Sequence, residues 1–191
     1  MAAQALSEGV ATADWGGMLL TVSVLAGRVL LSTTFIQAGV QKIRYRTQLG
    51  GVIGNYGLLP AALVPVVSWL LPPLELVTGV ALLVPSSWSA LGAGCLLVLF
   101  TVAIVTNLLR GRRHIDCGCF QSGLRQELGW GLVSRNAVLL AIAAQAACFP
   151  VHPPVLVWVA AVLFGLVSSV LYQAVNGLAA NRAALRSLTA G

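Results

Sequence analysis

Five long apolar segments constrain the fold of this chain more than any other feature of its sequence. They comprise residues 18–40, 61–84, 88–109, 131–149 and 155–175. Each approaches or exceeds the roughly 20 apolar residues that a helix needs to cross the hydrocarbon core of a bilayer. Helices are required, because an open strand edge in lipid leaves backbone groups unpaired. The pattern therefore predicts an all-α, multi-pass integral membrane protein with five transmembrane helices.

The composition excludes a water-soluble domain. Only 8% of the 191 residues are charged, whereas 58% are hydrophobic, and a soluble domain carries about 25% charged residues. The net charge is +6, which in a soluble protein would suggest nucleic-acid binding. Here the basic residues cluster between apolar segments, where they set the orientation of a membrane protein. We therefore expect the lipid bilayer, and no nucleic acid, as a partner.

The apolar segments divide the chain into a tail, a bundle and an extension. Residues 1–17 form an N-terminal tail without Lys or Arg. A secretory signal peptide begins with basic residues, so we expect the first span to be retained. Residues 18–150 are predicted to form a four-helix membrane domain, residues 155–175 a fifth transmembrane helix, and residues 176–191 a basic C-terminal tail.

The distribution of basic residues predicts the orientation in the membrane. They follow the first, third and fifth apolar segments, at Lys42, Arg44, Arg46, Arg110, Arg112, Arg113, Arg125, Arg182 and Arg186. The connections at 85–87 and 150–154 contain neither Lys nor Arg. The positive-inside rule then places the N-terminus outside and the C-terminus inside.

Arg28 and Glu75 fall within predicted spans, where ionisable groups are costly and normally paired, and Arg135 enters the fourth apolar segment. Counting about 1.5 Å per residue from the same membrane face puts Arg28 and Glu75 near the midplane, so we predict that they face one another. The pair could fix helix register, or it could anchor a quinone or a proton path. Pro72 and Pro73 predict a kink or break just before Glu75.

The most conspicuous chemistry is a Cys-Gly-Cys element in a basic loop, at Cys117 and Cys119. These residues can bridge only as a tight ring, and a strained or exposed disulfide is the exchange-competent kind. Upstream basic residues, including His114, favour a thiolate, whereas Asp116 disfavours it. This pattern favours thiol–disulfide exchange. An inert pair, palmitoylation and a metal site remain alternatives, but the spacing is poor for a metal and we expect none.

Two further cysteines, Cys95 and Cys148, lie early in the third apolar segment and at the end of the fourth. Antiparallel packing places both toward the membrane face opposite Cys117 and Cys119. A free Cys often behaves as a small buried hydrophobe. We interpret this pair as structural.

Several motifs resemble a known membrane family. Residues 35–42 (Phe-Ile-Gln-Ala-Gly-Val-Gln-Lys), 56–60 (Tyr-Gly-Leu-Leu-Pro) and 73–76 (Pro-Leu-Glu-Leu), with Gly79, look like the DoxX-type four-helix fold. Residues 107–111 (Asn-Leu-Leu-Arg-Gly), 116–120 (Asp-Cys-Gly-Cys-Phe) and 134–136 (Ser-Arg-Asn) are similar to the MauE family of methylamine utilisation proteins. The resemblance covers about residues 20–145. One departure is Gln121, where Gly is expected after Cys-Gly-Cys-Phe.

The resemblance implies a maturation factor for methylamine dehydrogenase in the bacterial inner membrane. Such a protein would form or isomerise disulfides of the dehydrogenase small subunit, which carries tryptophan tryptophylquinone, together with a MauD-like thioredoxin-fold membrane protein. The implied fold is a DoxX/VKOR-like four-helix transmembrane bundle plus a fifth transmembrane helix. The family's shape is also similar to the vitamin K epoxide reductase bundle, which couples a thiol pair to a quinone, so a quinone is a candidate cofactor and no cofactor is certain.

The resemblance also implies roles for individual residues. Cys117 and Cys119 would be the redox pair of a thiol–disulfide oxidoreductase or isomerase. Residues expected to line or support the site are Lys42, Glu75 and Asn107, which match family positions, with Arg28, His114 and Arg135 as further candidates.

The orientation from loop charges conflicts with this function. It places Cys117 and Cys119 in the cytoplasm, whereas disulfide formation in a periplasmic subunit needs them outside. Either the orientation is inverted or electrons cross the membrane. Two other function classes stay open: a non-catalytic membrane anchor or scaffold that recruits the thioredoxin-like partner, and a transporter using Arg28 and Glu75. Inverted repeats would support a transporter, and the sequence shows none.

Overall fold

The computed structural model describes residues 15–112, 128–149, 151 and 155–189. Within these ranges the chain is helical and has no strand, and its helices are α1 (Trp15–Arg44), α2 (Arg46–Tyr56), α3 (Val64–Ala81), α4 (Ser87–Leu109), α5 (Trp130–Cys148) and α6 (Val155–Thr189). The predicted sites Cys117, Cys119 and His114 lie outside the described residues.

The predicted membrane class is confirmed. Five of these helices contain an apolar stretch long enough to cross a bilayer, at Gly16–Arg44, Val64–Ala81, Ser87–Leu109, Trp130–Cys148 and Val157–Leu178. Each corresponds to one of the five apolar segments of the sequence. Helix α2 was not predicted, and α6 continues well beyond its apolar stretch. The domain boundaries drawn from the sequence stay predictions.

Helix α1 is the centre of the bundle. It packs against α3, α5 and α6, and α4 packs mainly against α5. Leu25, Leu31 and Phe35 of α1 are almost completely buried. Helix α6 runs parallel to α1, because Gly165 lies against Val29 and, one turn further along both helices, Ser169 is hydrogen-bonded to Thr33.

The remaining helices alternate in direction, so one end of the bundle collects the exposed arginines. The end of α1, all of α2, the start of α3, the end of α4 and the start of α5 meet there. We call it the basic end; its exposed arginines are Arg44, Arg46, Arg110 and Arg112. The turn between α3 and α4, the end of α5 and the start of α6 lie at the opposite end.

Small residues bring α1 and α3 into close contact. A Cβ atom on Gly79 would lie 2.7 Å from Cγ1 of Ile36 and 3.1 Å from the carbonyl oxygen of Ser32. A Cβ atom on Gly39 would lie 3.0 Å from the carbonyl oxygen of Pro72. Small residues let helix backbones approach closely in a membrane, where dispersion contacts replace the hydrophobic effect between helices. The two glycines therefore set the register of α1 against α3.

The prediction that Arg28 and Glu75 face one another is wrong. Glu75 pairs with Lys42 instead, and Arg28 lies at the opposite end of the bundle, beside the turn after α3. The depth estimate assumed that α1 and α3 end level with each other. In fact α1 has 30 residues and α3 has 18, and the glycine contacts slide them so that the first half of α1 extends past the end of α3.

Arg28 caps the end of α5 and joins it to the turn between α3 and α4. Its guanidinium donates to the carbonyl oxygens of Val84 (3.1 Å) and Ser86 (2.9 Å) in the turn after α3, and to Ser89 Oγ (3.2 Å). It also donates to the carbonyl oxygen of Ala146 (2.8 Å) in the last turn of α5. The last carbonyls of a helix have no intrahelical donor and carry partial negative charge. Arg28 therefore satisfies the end of α5 and needs no carboxylate partner.

Two other expectations change. Of the predicted kink or break at Pro72 and Pro73, the break does not occur, because α3 continues through both residues, and the kink stays a prediction. Cys95 and Cys148 are free, but both are exposed, so they are not the buried hydrophobes on which their structural interpretation rested. The physical reason is the solvent: a weakly polar thiol can face lipid at little cost, so the burial preference of free Cys in soluble proteins does not apply.

Replacing Gly79 tests the contact between α1 and α3. We expect Gly79→Ala to lower the unfolding temperature in detergent, because overpacking a tight contact costs about 1–3 kcal/mol. The matched control is Gly92→Ala, also within a spanning helix, whose Cβ would meet no atom within 4 Å. Equal unfolding temperatures for the two variants would contradict the close packing.

Arg28 is expected to be essential for stability. Arg28→Met removes the donor to the Ala146 carbonyl, and a buried acceptor left unpaired costs about 1–3 kcal/mol. It also removes the hydrogen bonds that join α1 to the turn after α3. Arg28→Lys should restore little, because an ammonium group has three donors and no planar fork. The measurement is the unfolding temperature and yield of purified protein, with the exposed Arg44→Met as control. Wild-type stability in Arg28→Met would refute the capping role.

Candidate functional site

A buried ion pair joins α1 to α3 near the basic end. Nζ of Lys42 donates to Oε1 of Glu75 at 2.7 Å and to Oε2 at 2.9 Å. Lys42 is 7% exposed and Glu75 is 0% exposed. A single charge in this environment is strongly disfavoured, so each group is held by the other. Two residues predicted from the sequence to support the site are thus in direct contact.

The ammonium group of Lys42 keeps further hydrogen-bonding capacity. It has three donors, and Glu75 accepts from it through two oxygens. On another side, Nζ lies 5.5 Å from the centre of the Phe100 ring of α4, within the distance of a cation–π interaction. Across the part of the chain that the structure describes, no other acceptor for Lys42 is found.

The ion pair lies in the wall of a cavity of about 440 Å³. All six helices contribute to its lining, which is mostly apolar. The ionisable and amide groups that reach it are Lys42, Glu75, Arg135 and Asn136. Nδ2 of Asn136 donates to Oγ1 of Thr101 at 3.3 Å, which holds the amide on the α4–α5 side.

Helix α2 covers the cavity at the basic end. Leu49, Val52, Ile53 and Tyr56 all line it, and their spacing of three, four and seven residues places them on one helical face. Leu49 is completely buried, while Thr47 and Gly54 on the opposite face are exposed. This short amphipathic helix was missed in the sequence because it is too short for a span, although its apolar spacing was visible.

The other predicted residues divide into three groups. Arg135 lines the same cavity as Lys42 and Glu75, whereas Arg28 lies at the opposite end. Asn107 is fully buried but is not among the cavity-lining residues. Its side-chain Nδ2 donates to the backbone carbonyl oxygen of Ala103, and its backbone carbonyl oxygen accepts from the backbone N–H of Arg112. We interpret Asn107 as a residue that shapes the end of α4.

The chain on either side of the Cys-Gly-Cys element is anchored beside this cavity. After α4, the side chain of Arg112 packs against Gly57. A Cβ atom built on Gly57 would lie 2.9 Å from Nη1 of Arg112. Gly57 follows α2 and has a φ of 59°, a conformation that favours glycine. Before α5, the buried Leu128 belongs to an apolar cluster that packs against Tyr56. Both anchors of the segment 113–127 therefore adjoin α2.

Metal-binding groups do not gather in the described ranges: no three His, Cys, Asp or Glu side chains come together there. The expectation that the protein holds no metal stays a prediction, because His114, Cys117 and Cys119 lie outside those ranges. The described cavity offers the Lys42–Glu75 ion pair, a guanidinium, an amide and aromatic rings in apolar surroundings.

The ion pair can be tested by a double-mutant cycle. Lys42→Met alone leaves the Glu75 carboxylate buried without its partner, and breaking a buried pair costs about 3–5 kcal/mol. Lys42→Met with Glu75→Leu removes both charges, so we expect the double variant to regain much of the unfolding temperature lost by the single variant. If the two losses simply added, the two residues would not act as a pair.

Known proteins are similar in sequence to this chain over most of its length. The family model described as methylamine utilisation protein MauE matches residues 20–149. The methylamine utilization protein MauE of Paracoccus denitrificans is 41% identical over 118 residues, which are 61% of this chain and 63% of that protein. The corresponding protein of Paracoccus versutus is 38% identical over 122 residues, 63% of this chain and 66% of that protein.

A third relative, MauE of Methylorubrum extorquens, is 40% identical over 129 residues, 66% of this chain and 69% of that protein. The matched region spans less than two thirds of the length of the two Paracoccus relatives. No solved structure matches the chain. The family match includes α2 to α5, most of α1 and the Cys-Gly-Cys element, so the chain belongs to the family of methylamine utilisation protein MauE.

Proposed function

We propose that this protein acts in methylamine utilisation as a membrane maturation factor for methylamine dehydrogenase. In this proposal it forms or isomerises disulfides of the dehydrogenase small subunit through Cys117 and Cys119. The observation that carries the proposal is the position of this cysteine pair within the family match, between two chain anchors at the same end of the bundle. The relatives are named only for methylamine utilisation, and the redox role is inferred from the chemistry of the pair.

Disulfide formation by such a pair follows a balanced exchange. A thiolate of the client attacks one sulfur of the Cys117–Cys119 disulfide, so that this bond breaks and a mixed disulfide forms. The second client thiolate then displaces the cysteine, leaving the client oxidised and both cysteines reduced. Two electrons and two protons have moved from client to pair. Isomerisation uses the reduced pair, which attacks a wrong client disulfide and is released without net electron transfer.

The basic end is suited to this reaction. Arg110 and Arg112 precede the cysteine pair along the chain and are exposed, and positive charge near a cysteine favours its thiolate. Arg110 also donates to the carbonyl oxygen of Gly57 at 3.5 Å, which ties the end of α4 to the turn after α2. The helices on either side fix the two ends of the segment 113–127, which we propose the client contacts.

The proposed partner is a MauD-like thioredoxin-fold protein in the bacterial inner membrane, with the dehydrogenase small subunit as the final client. Thioredoxin-fold proteins exchange disulfides through an exposed cysteine pair of their own. Electrons can then pass in two steps between the client, that protein and Cys117–Cys119. For these steps to occur in the periplasm, the basic end must face outward, against the positive-inside rule.

Serine variants test the redox role. In cells that make methylamine dehydrogenase and depend on this protein, we expect Cys117→Ser and Cys119→Ser each to abolish mature dehydrogenase, while the membrane protein still accumulates on immunoblots. The matched controls are Cys95→Ser and Cys148→Ser, because both residues are exposed and free at the opposite end, and these should mature the enzyme normally.

Normal maturation by both Cys117→Ser and Cys119→Ser would overturn the redox role and favour a non-catalytic scaffold that recruits the thioredoxin-like partner. The same variants fix the orientation: in a background without Cys95 and Cys148, a membrane-impermeant maleimide labels Cys117 and Cys119 only from the side on which the basic end lies.

A further inference from the structure

The cavity at the basic end has the size and composition of a ligand site. We propose that it binds an amphiphile dissolved in the membrane, with an apolar body and an uncharged head that accepts hydrogen bonds, and that the ligand is a quinone. Its volume of about 440 Å³ lies within the roughly 300–1,000 Å³ of small-molecule sites. Protein interiors are otherwise close-packed, so a space of this size within a small bundle calls for an occupant.

The route into the cavity requires a ligand with an apolar body. Leu99 and Val102 of α4 line it and are at the same time 59% and 58% exposed, so they form its edge on the lipid side. Helices α3 and α4 touch each other only sparsely, although they are consecutive. A molecule can therefore enter sideways from the bilayer between them, and such a molecule must itself be soluble in lipid.

The buried polar groups of the cavity determine which head group the ligand can have. Lys42 and Glu75 neutralise each other, so this wall presents a hydrogen-bond donor and not an uncompensated charge. The face of Phe100 lies beside the ammonium group, where a flat ring can stack, and Asn136 adds an amide. A neutral ring bearing carbonyl oxygens matches this set. An anionic head would instead compete with Glu75 for Lys42, although Arg135 also lines the cavity.

The choice of a quinone within this ligand class rests on the proposed function. Each disulfide formed on a client leaves two electrons and two protons on Cys117 and Cys119, and these must be discharged before the next turnover. Oxidation of the two thiols back to a disulfide would transfer both electrons and both protons to the quinone, which would leave as the hydroquinone. Binding itself depends only on the cavity.

The experiment measures binding separately from maturation. The full-length protein is placed in phosphatidylcholine nanodiscs and titrated with decylubiquinone, followed by quenching of tryptophan fluorescence and by the rise in unfolding temperature that a ligand of the folded state produces. We expect saturable binding. Ala103→Phe, which fills the cavity, should weaken it at least tenfold. Val52→Phe on α2, outside the spanning helices, fills the same space and serves if Ala103→Phe does not fold.

Controls separate the two proposals. Ala141→Phe introduces the same side chain at an exposed position of α5 that does not line the cavity, and it should bind like the wild type. The double variant Cys117→Ser/Cys119→Ser should also bind normally and yet fail to mature the dehydrogenase. Normal maturation by that variant with intact binding would contradict the proposed function alone.

Three outcomes would overturn the binding site. One is equal affinity for decylubiquinone in the wild type, Ala103→Phe and Val52→Phe. Another is the absence of saturable binding in a wild-type protein that matures the dehydrogenase. The third is stabilisation by phosphatidylglycerol, lost in Ala103→Phe, without stabilisation by the quinone, which would identify the cavity as a site for an anionic lipid.

Discussion

The pairing of Lys42 with Glu75 is the interaction on which the organisation of the basic end depends. Hydrocarbon tolerates neither charge alone, so α1 and α3 must align where the two side chains meet. Gly39 and Gly79 permit that alignment by removing the side chains that would hold the backbones apart. Once α1 and α3 are fixed, α2 can fold across the remaining opening, and a cavity is left between the ion pair and α4.

The two buried cations of the described residues, Arg28 and Lys42, are satisfied in different ways. Arg28 donates to backbone carbonyls in the turn between α3 and α4 and in the last turn of α5, and so joins α1 to both. Lys42 donates two hydrogen bonds to a carboxylate, and its ammonium group, which faces the cavity, keeps further capacity to donate. The same requirement, that no charge be left alone in lipid, therefore produces hydrogen bonds to backbone carbonyls at one end of the bundle and an ion pair in a cavity wall at the other.

The sequence predicted those features that depend on composition along one segment. Bilayer-length apolar runs and the loops rich in arginine were enough to locate the five spanning helices. The pairing of Arg28 was mispredicted because register depends on contacts between helices, such as that of Gly79 with Ile36. Helix α2 was missed because its apolar face is only four residues. The exposure of Cys95 followed from the lipid environment, which residue preferences from soluble proteins do not describe.

The parallel run of α6 beside α1 has a consequence for assembly. Since Ser169 follows Thr33 along the same direction, the fifth span returns the chain to the end of the bundle from which the cysteine-bearing connection also projects. An odd number of crossings thus brings the end of α6 and the two ends of the connection between α4 and α5 to the same side of the membrane. A membrane partner that docks alongside α6 would reach both without crossing the bilayer, and a tag fused after that helix would report the side on which the basic end lies.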